Sequence, residues 1–382
     1  MKIVCAESVL FAREAFGTIG DPIVRPDRAI APNDLRDADA LIIRSKTRAD
    51  RALLEGSRIS LVGTATAGFD HLDTAWLEAK GIAWRVAAGC NANSVAEYVV
   101  TALLCLAHRH GWRLEGRTLG VVGIGQVGRR VVRKAEALGL RVLQNDPPRR
   151  LAEGAPELVE LDALLPHSDI VTLHVPLTDQ GPFATRQMAD ARFFERMKPG
   201  ATFINTSRGE VVDDVELLLA LETGHLAHAV LDVWNNEPRW NAKLAARADI
   251  VSPHIAGYSF DGKLAGTEMI YRDACRFFGV PPTWDPAPLC PPPAVSEIAF
   301  TPDQGRTEEA LWAIVRKVYD IEADDRAMRT GDADETARAA RFERLRRHYP
   351  DRREFGNTCV HLMSPAPELR RKLEGIGFRC RS

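Results

Sequence analysis

Five features fall in one order along this chain of 382 residues: Gly123-x-Gly125-x-x-Gly128, Asp146, Arg208, Glu237 and His254. A glycine triplet lets backbone approach a pyrophosphate. An acid 18 residues past the last glycine can accept from ribose hydroxyls and repel a 2′-phosphate. Histidine titrates near neutral pH, so it can take a hydroxyl proton and return it. A neighbouring glutamate favours the imidazolium. Arginine can hold a carboxylate through two parallel hydrogen bonds and polarise the adjacent carbonyl. Together these types suit hydride transfer between a 2-hydroxy acid and a nicotinamide. Taken singly each has a plainer use: His254 as a packed core histidine, Glu237 as a turn residue before Pro238, Arg208 as a surface ion pair.

The elements that must position them are legible from pattern. Thr118–Ile124 is an apolar, β-type run; 129–138 carries Val131, Val132, Ala135 and Leu138 at helical spacing. That is strand, tight glycine turn and helix, whose N-terminus presents free N–H groups to an anion. A second strand, Leu140–Gln144, ends beside Asp146, which favours NAD over NADP; Arg149 and Arg150 nearby weaken that preference. Asp169–Val175, Ala201–Asn205, Ala229–Val233 and Asp249–Ser252 read as short buried parallel strands. Arg208, Glu237 and His254 lie just beyond the last three, where open α/β sheets bind their ligands.

Upstream, Lys2–Cys5, Ala40–Ile43, Ser60–Thr64 and Ile82–Val86 read as strands of a second α/β unit without the glycine fingerprint. Ser94–His108 reads as a long apolar helix with Glu97 and Tyr98 as its polar marks. Pro281–Pro293 contains seven prolines, the composition of a stiff linker. Beyond it, strands at Ala294–Phe300 and Thr358–Met363 and helices at Glu308–Val318, Asp334–Arg347 and Pro367–Gly375 make a small α+β tail. The expected organisation is a substrate domain (1–95 and 258–280), a cofactor domain (96–257), a linker (281–293) and a dimerisation domain (294–382). The two larger domains are expected to face one another across a cleft.

Composition excludes several classes. Net charge is −2, so nothing suggests nucleic acid, and an apolar share of 45% is ordinary for globular proteins. No apolar run reaches the ~18 residues needed to span a bilayer. Met1–Glu7 reads as a first strand rather than a signal peptide. Seven cysteines without CxxC pairs point to reduced thiols, a cytoplasmic setting and no metal site.

The chain resembles the D-isomer-specific 2-hydroxyacid dehydrogenases. The residues that carry this are Val122–Gly128, Asn205–Glu210, Leu231–Trp234 with Glu237-Pro238, and Ser252–Gly257. The resemblance implies an α/β fold of two doubly wound parallel-sheet domains, one Rossmann-type and one flavodoxin-like. It implies NAD as cofactor, His254 as acid/base, Glu237 as its partner and Arg208 as the carboxylate clamp. Gly123, Gly125, Gln126, Val127, Gly128, Asp146, Thr206, Asp232 and Gly257 would line the cofactor site. Ser45, Thr66 and Tyr258 would touch substrate. His174 stands where a smaller residue is expected near the cofactor, and has no assigned catalytic role.

Gly89–Tyr98, Ile43–Thr47, Asn145–Pro148, His254–Ser259 and the long tail narrow the resemblance. They match one branch, whose members oxidise a phosphorylated four-carbon hydroxy acid on the route to pyridoxine. Relatives acting on D-3-phosphoglycerate or other D-2-hydroxy acids would share the catalytic residues, and a non-catalytic NADH-sensing scaffold would share the fold. Within the tail, 338–353 holds seven arginines against Glu343 and Asp351. This reads either as a solvated face or as a phosphate patch reaching a neighbouring subunit's site. Phe300, Trp312, Phe342 and Phe355 offer more apolar surface than so small a tail buries alone, which points to a homodimer.

Overall fold

Short apolar runs alternating with helical stretches become parallel strands with crossover helices. In the computed structural model, which describes residues 1–302, 305–331 and 334–381, the chain divides into two compact units. The first holds Met1–Ala92 and Tyr258–Pro292; the second holds Asn93–Gly257 and the residues from Pro293 onward.

In the first unit, β1 (Lys2–Ala6), β2 (Asp21–Arg25), β3 (Ala40–Ile43), β4 (Leu61–Thr64) and β5 (Ala83–Val86) form a parallel sheet in the order β2-β1-β3-β4-β5. This is the flavodoxin-like order. β3 and β4 are buried at every position, as strands covered on both faces must be. β2 was not among the expected strands. Asp-Pro-Ile-Val-Arg has no apolar run and contains a proline; it forms an edge strand on β1, where a missing N–H is tolerated. The helix Phe260–Phe278 returns to this unit. Its Tyr271 hydroxyl pairs with Thr18 Oγ1 at 2.8 Å and accepts from the backbone N–H groups of Thr283 and Trp284. The first part of the proline-rich stretch is thereby fastened to the sheet's helices.

In the second unit, β6 (Thr118–Val122), β7 (Arg141–Asn145), β8 (Ile170–Leu173), β9 (Ala201–Asn205), β10 (Leu226–Leu231) and β11 (Ile250–Val251) form a parallel sheet in the order β11-β10-β9-β8-β6-β7. The strand order reverses between β6 and β8, and ligands of such sheets bind at this switch point. The helix Gly128–Leu138 buries Val131, Val132, Ala135 and Leu138 and ends on Gly139 in the left-handed conformation. The long helix Ala92–His110 is almost wholly buried through its middle.

The tail belongs to this second unit. Its strands β12 (Glu297–Phe300), β13 (Cys359–Leu362) and β14 (Arg379–Arg381) are all parallel, linked by helices Thr307–Val318, Ile321–Arg329, Glu335–Arg347 and Pro367–Ile376. Ile321–Arg329 and β14 escaped the sequence pattern. The helix has Ile321 and Met328 as its buried apolar side chains, and three residues are too few for a strand's alternation to register. Trp312, Phe342 and Phe355 are buried within the chain itself, at 2%, 0% and 0% exposure. Phe342 and Met328 join the core that contains Trp234, Leu244 and Ala245. Three of the four aromatics from which a homodimer was expected are therefore covered within the chain, while Phe300 is partly exposed. No helix among the described residues is long and apolar enough to cross a membrane.

Candidate active site

His254 and Glu237 meet directly: His254 Nδ1 lies 2.8 Å from Glu237 Oε2. Each sits in a loop just past a strand, His254 after β11 and Glu237 after β10. His254 adopts a left-handed backbone, φ 55°, which costs a non-glycine residue about 1–3 kcal/mol. Asp232 holds it there. Its backbone oxygen accepts from His254 N at 2.6 Å, and its buried carboxylate accepts from Ile255 N, Ala256 N and Ser252 Oγ. Ser252 Oγ in turn pairs with the hydroxyl of Tyr98 at 2.7 Å. A chain of bonds thus runs from the long helix to the turn that carries His254. Trp234 ties the two loops together, donating Nε1–H to Ser252 O and its backbone N–H to Glu237 Oε1.

Glu237 is four-fifths buried, and burial pushes its carboxyl upward. The charge and hydrogen bond of His254, then the charge of Arg346, outweigh that and hold it below the usual glutamate value. It is a carboxylate at neutral pH. Nδ1–H of His254 then donates to it, leaving Nε2 able to accept a proton. Arg346 Nη1 stands 3.8 Å from Glu237 Oε2. The sequence left that arginine either on a solvated face or in a phosphate patch reaching a neighbouring subunit; in the structure it meets the glutamate of its own chain.

Arg208 follows β9. Asn205 shapes its loop, accepting from Ser207 N and Oγ and donating Nδ2–H to Arg208 O. The next residue must be glycine: a Cβ on Gly209 would fall 1.9 Å from the backbone of Trp234. The Arg208 loop therefore rests on the loop that carries Glu237.

The cofactor residues lie around the turn after β6. A Cβ on Gly128 would collide with Gly123 O at 1.9 Å, whereas the space above Gly125 is open. The first contact requires glycine for the turn; the second leaves room for a pyrophosphate against backbone. Gln126 is exposed, and Val127 precedes the helix. Asp146 accepts from Ile124 N and Arg149 N, so its carboxylate is fixed beside the glycine turn. Arg149 is paired with Glu153, and Arg150 with Glu160. Their charges are already matched, which favours a ribose without a 2′-phosphate. These features fit NAD.

His174 packs its backbone oxygen against Gly123, with Nε2 3.1 Å from Thr172 Oγ1 and Nδ1 3.3 Å from Thr206 Oγ1. Enclosure of its ring pushes its pKa down to about 3, so it is neutral. Gly257 ends the His254 loop. Ser45, Thr66 and Tyr258 belong to the first unit: Ser45 is exposed after β3, Thr66 Oγ1 donates to Gly68 O, and Lys263 Nζ lies 5.5 Å from the Tyr258 ring centre. Sequence reasoning missed Tyr98, Ser252, Trp234, Asn205 and Gly209 as the scaffold of the site. Asn205, Gly209, Trp234 and Ser252 stood in the motifs that carry the resemblance, and Tyr98 was a polar mark on an otherwise apolar helix, but nothing in the sequence gave them this supporting role.

Residues 100–256 match the family model described as "D-isomer specific 2-hydroxyacid dehydrogenase, NAD binding domain", and residues 289–377 match a "domain of unknown function (DUF3410)". A solved D-lactate dehydrogenase of Aquifex aeolicus, complexed with NAD and lactic acid, aligns with a TM-score of 0.60 at 27% identity. The alignment covers 72% of this chain and 95% of that one. The class is thus the NAD-dependent D-2-hydroxyacid dehydrogenases. Within it, an erythronate-4-phosphate dehydrogenase of Azotobacter vinelandii is 45% identical over 99% of both chains. One of Edwardsiella ictaluri is 43% identical over 94% of both. The chain belongs to the erythronate-4-phosphate dehydrogenase family.

Proposed function

We propose that this chain oxidises 4-phospho-D-erythronate to 2-oxo-3-hydroxy-4-phosphobutanoate, a step of pyridoxine biosynthesis. The observation that carries the reading is the 2.8 Å pair of His254 and Glu237, set at the carboxyl edge of an NAD-binding sheet. Its full-length likeness to relatives named for this substrate gives the substrate's identity. NAD bound beside the glycine turn supplies the hydride acceptor. His254 Nε2 takes the proton from the substrate hydroxyl, and Glu237 steadies the resulting imidazolium. Arg208 holds the substrate carboxylate and draws electron density from the forming carbonyl. Asp146 accepts from the adenosine ribose. Thr206, Asp232 and Gly257 shape the cofactor's surroundings, and Ser45, Thr66 and Tyr258 contribute substrate contacts.

NADH formation from 4-phospho-D-erythronate, measured against 3-phospho-D-glycerate, tests the reading. Strong turnover of the first and little of the second is expected; the reverse would move the chain to a different D-2-hydroxy acid. No turnover of any 2-hydroxy acid would leave a scaffold. The same reading includes a cytoplasmic homodimer assembled through the tail. Its support is now the two edges of the tail sheet, β12 and β14, which carry no further strand among the described residues. Sedimentation as a monomer at micromolar concentration would remove the dimer from the proposal.

A further inference from the structure

The sheet of the second unit has two ends. His254, Glu237 and Arg208 lie past the carboxyl ends of its strands. At the opposite, amino ends stands a cluster that the reaction does not use: His110, His228 and Asp249, whose donor atoms all lie within 4.8 Å of one another. His110 ends the helix Ala92–His110, His228 lies near the start of β10, and Asp249 immediately precedes β11. About three residues of β10, or roughly 10 Å, separate His228 from that strand's catalytic end.

We propose that His110, His228 and Asp249 bind a divalent transition-metal cation of the zinc class.

The geometry carries the argument. His228 Nδ1 is 2.9 Å and His110 Nε2 3.3 Å from the same oxygen, Asp249 Oδ1. Metal–ligand bonds of about 2.0–2.1 Å in a tetrahedron put neighbouring ligand atoms roughly 3.3 Å apart. Both imidazole nitrogens therefore already stand near ligand spacing from one carboxylate oxygen, and with all three donor atoms within 4.8 Å of one another a swing of the two imidazoles toward each other would surround one ion. The ligands are also held from behind, as metal ligands are. Asp249 Oδ2 accepts from Ala229 N at 3.1 Å, and its backbone oxygen accepts from Arg109 Nη1 at 3.0 Å. Trp112 stacks on His110 with ring centres 5.2 Å apart and meets His228 edge-on at 4.9 Å.

Charge permits it. Burial pushes the Asp249 carboxyl up, but the hydrogen bond and charge of His228, the Ala229 N–H and His110 bring it below the usual aspartate range. It is an ionised ligand at neutral pH. Of the cations near by, Arg109 is paired with Glu322, and Arg117 lies over the Trp112 ring. Two imidazoles and one carboxylate suit zinc, cobalt(II) or nickel(II) rather than magnesium or calcium. His110 is exposed, which leaves the remaining position to water. Without an ion, the same three side chains are two imidazoles donating to one carboxylate, and the cluster is packing alone.

The occupant would clip the end of the long helix to β10 and to the entry of β11. Its binding would appear as added stability, since a ligand held only by the folded chain raises its melting temperature. The test uses the full, untagged chain stripped with a chelator. Equilibrium dialysis with zinc should find one equivalent per chain, and cobalt(II) should develop the visible absorption of a low-coordinate site. Zinc should raise the melting temperature and change Trp112 fluorescence. His110→Ala, at an exposed helix end, should fold normally, keep its NADH-forming turnover and bind zinc at least about tenfold more weakly. His228→Gln should do the same, and Trp112→Phe should abolish the fluorescence change while retaining the zinc. No zinc bound by the wild type, or equal binding by wild type and His110→Ala, overturns the proposal.

Discussion

Arg346→Met isolates a charge that the tail brings to the pair of His254 and Glu237. The substitution keeps an apolar stem over Phe342, whose ring centre is 5.6 Å from the guanidinium, and deletes the cation 3.8 Å from Glu237 Oε2. At an effective dielectric of 20, two unit charges at that distance interact by about 4 kcal/mol. Both side chains are about one-fifth exposed, at 19% and 20%, so screening by solvent reduces the figure. A value of about 1–2 kcal/mol is reasonable, equivalent to roughly one pKa unit. The sign follows from the cause. Arg346 helps hold Glu237 below the usual value, so losing it lets the carboxyl rise. Stability linked to that carboxylate is present above its unfolded pKa and disappears as pH falls through the folded one. In the variant the loss begins at higher pH. Because Glu237 pairs with the proposed base, the acidic limb of kcat/KM should move upward with it, by up to about one unit. The assay is NADH formation across pH, with NAD affinity measured alongside and expected to hold. An unmoved acidic limb together with a raised KM for the phosphorylated acid would refute the reasoning. It would assign Arg346, with Arg347, to the substrate phosphate.

His254→Ala should lose turnover by about 10²–10⁴-fold while still binding NAD, as measured by turnover and by cofactor titration; near-normal turnover would remove His254 as the base. Asp146→Ala should weaken NAD more than NADP, because the ribose acceptor and its charge vanish while Arg149 and Arg150 remain paired with acids. Equal losses for both cofactors would place the discrimination elsewhere. His174 excludes its proton down to about pH 3 in the folded chain, whereas an unfolded histidine takes one up near pH 6.5. Its contribution to stability is therefore complete above about 6.5 and declines by about 1.4 kcal/mol per unit as pH falls toward 3. His174→Asn should flatten the pH dependence of urea unfolding over that window by up to one proton, and an unchanged slope would count against a ring held neutral in the folded chain.

That Arg208, Glu237 and His254 follow successive strands was legible because covalent spacing governs it. A glycine triplet can only serve its turn if strand and helix flank it, and an arginine, a glutamate and a histidine just past successive parallel strands must share one edge of the sheet. What holds that edge was not legible. Tyr98, Ser252 and Asp232 touch across the second unit, with Tyr98 separated from Ser252 by 154 residues, and no local pattern encodes such a contact. The same holds for His110, His228 and Asp249, which lack the close spacing by which a metal motif is recognised. Arg346 was read as part of a basic run, and its residue type gave no indication that Glu237 of the same chain would meet it. β2 and the helix Ile321–Arg329 were hidden for another reason: a proline-bearing edge strand and a sparsely apolar helix carry little of the periodicity that reveals elements.

The tail takes on a second meaning beside assembly. β11 is only two residues long and pairs with β10 alone, so its free side and the loop it feeds need support. Helix Ile321–Arg329 supplies it. Asp325 accepts from Val251 N at 2.8 Å and from Arg329 Nε, while Arg329 caps the carbonyls of Ala245 and Ala248 just before the strand. On the other side of His254, buried Arg352 donates to Ala256 O at 3.3 Å. That guanidinium sits 3.6 Å from Glu97 of the long helix, whose carboxyl is pushed up by burial and by Glu354 and drawn back by Lys134 and Arg352. His254 is therefore bracketed, three residues before and two after, by bonds to the tail. A scaffold of this kind fixes the position of an acid/base group more tightly than its own short strand can, and small displacements of such groups cost large factors in rate. The tail thus holds the backbone on both sides of His254 from within the same chain, whether or not a second subunit is present.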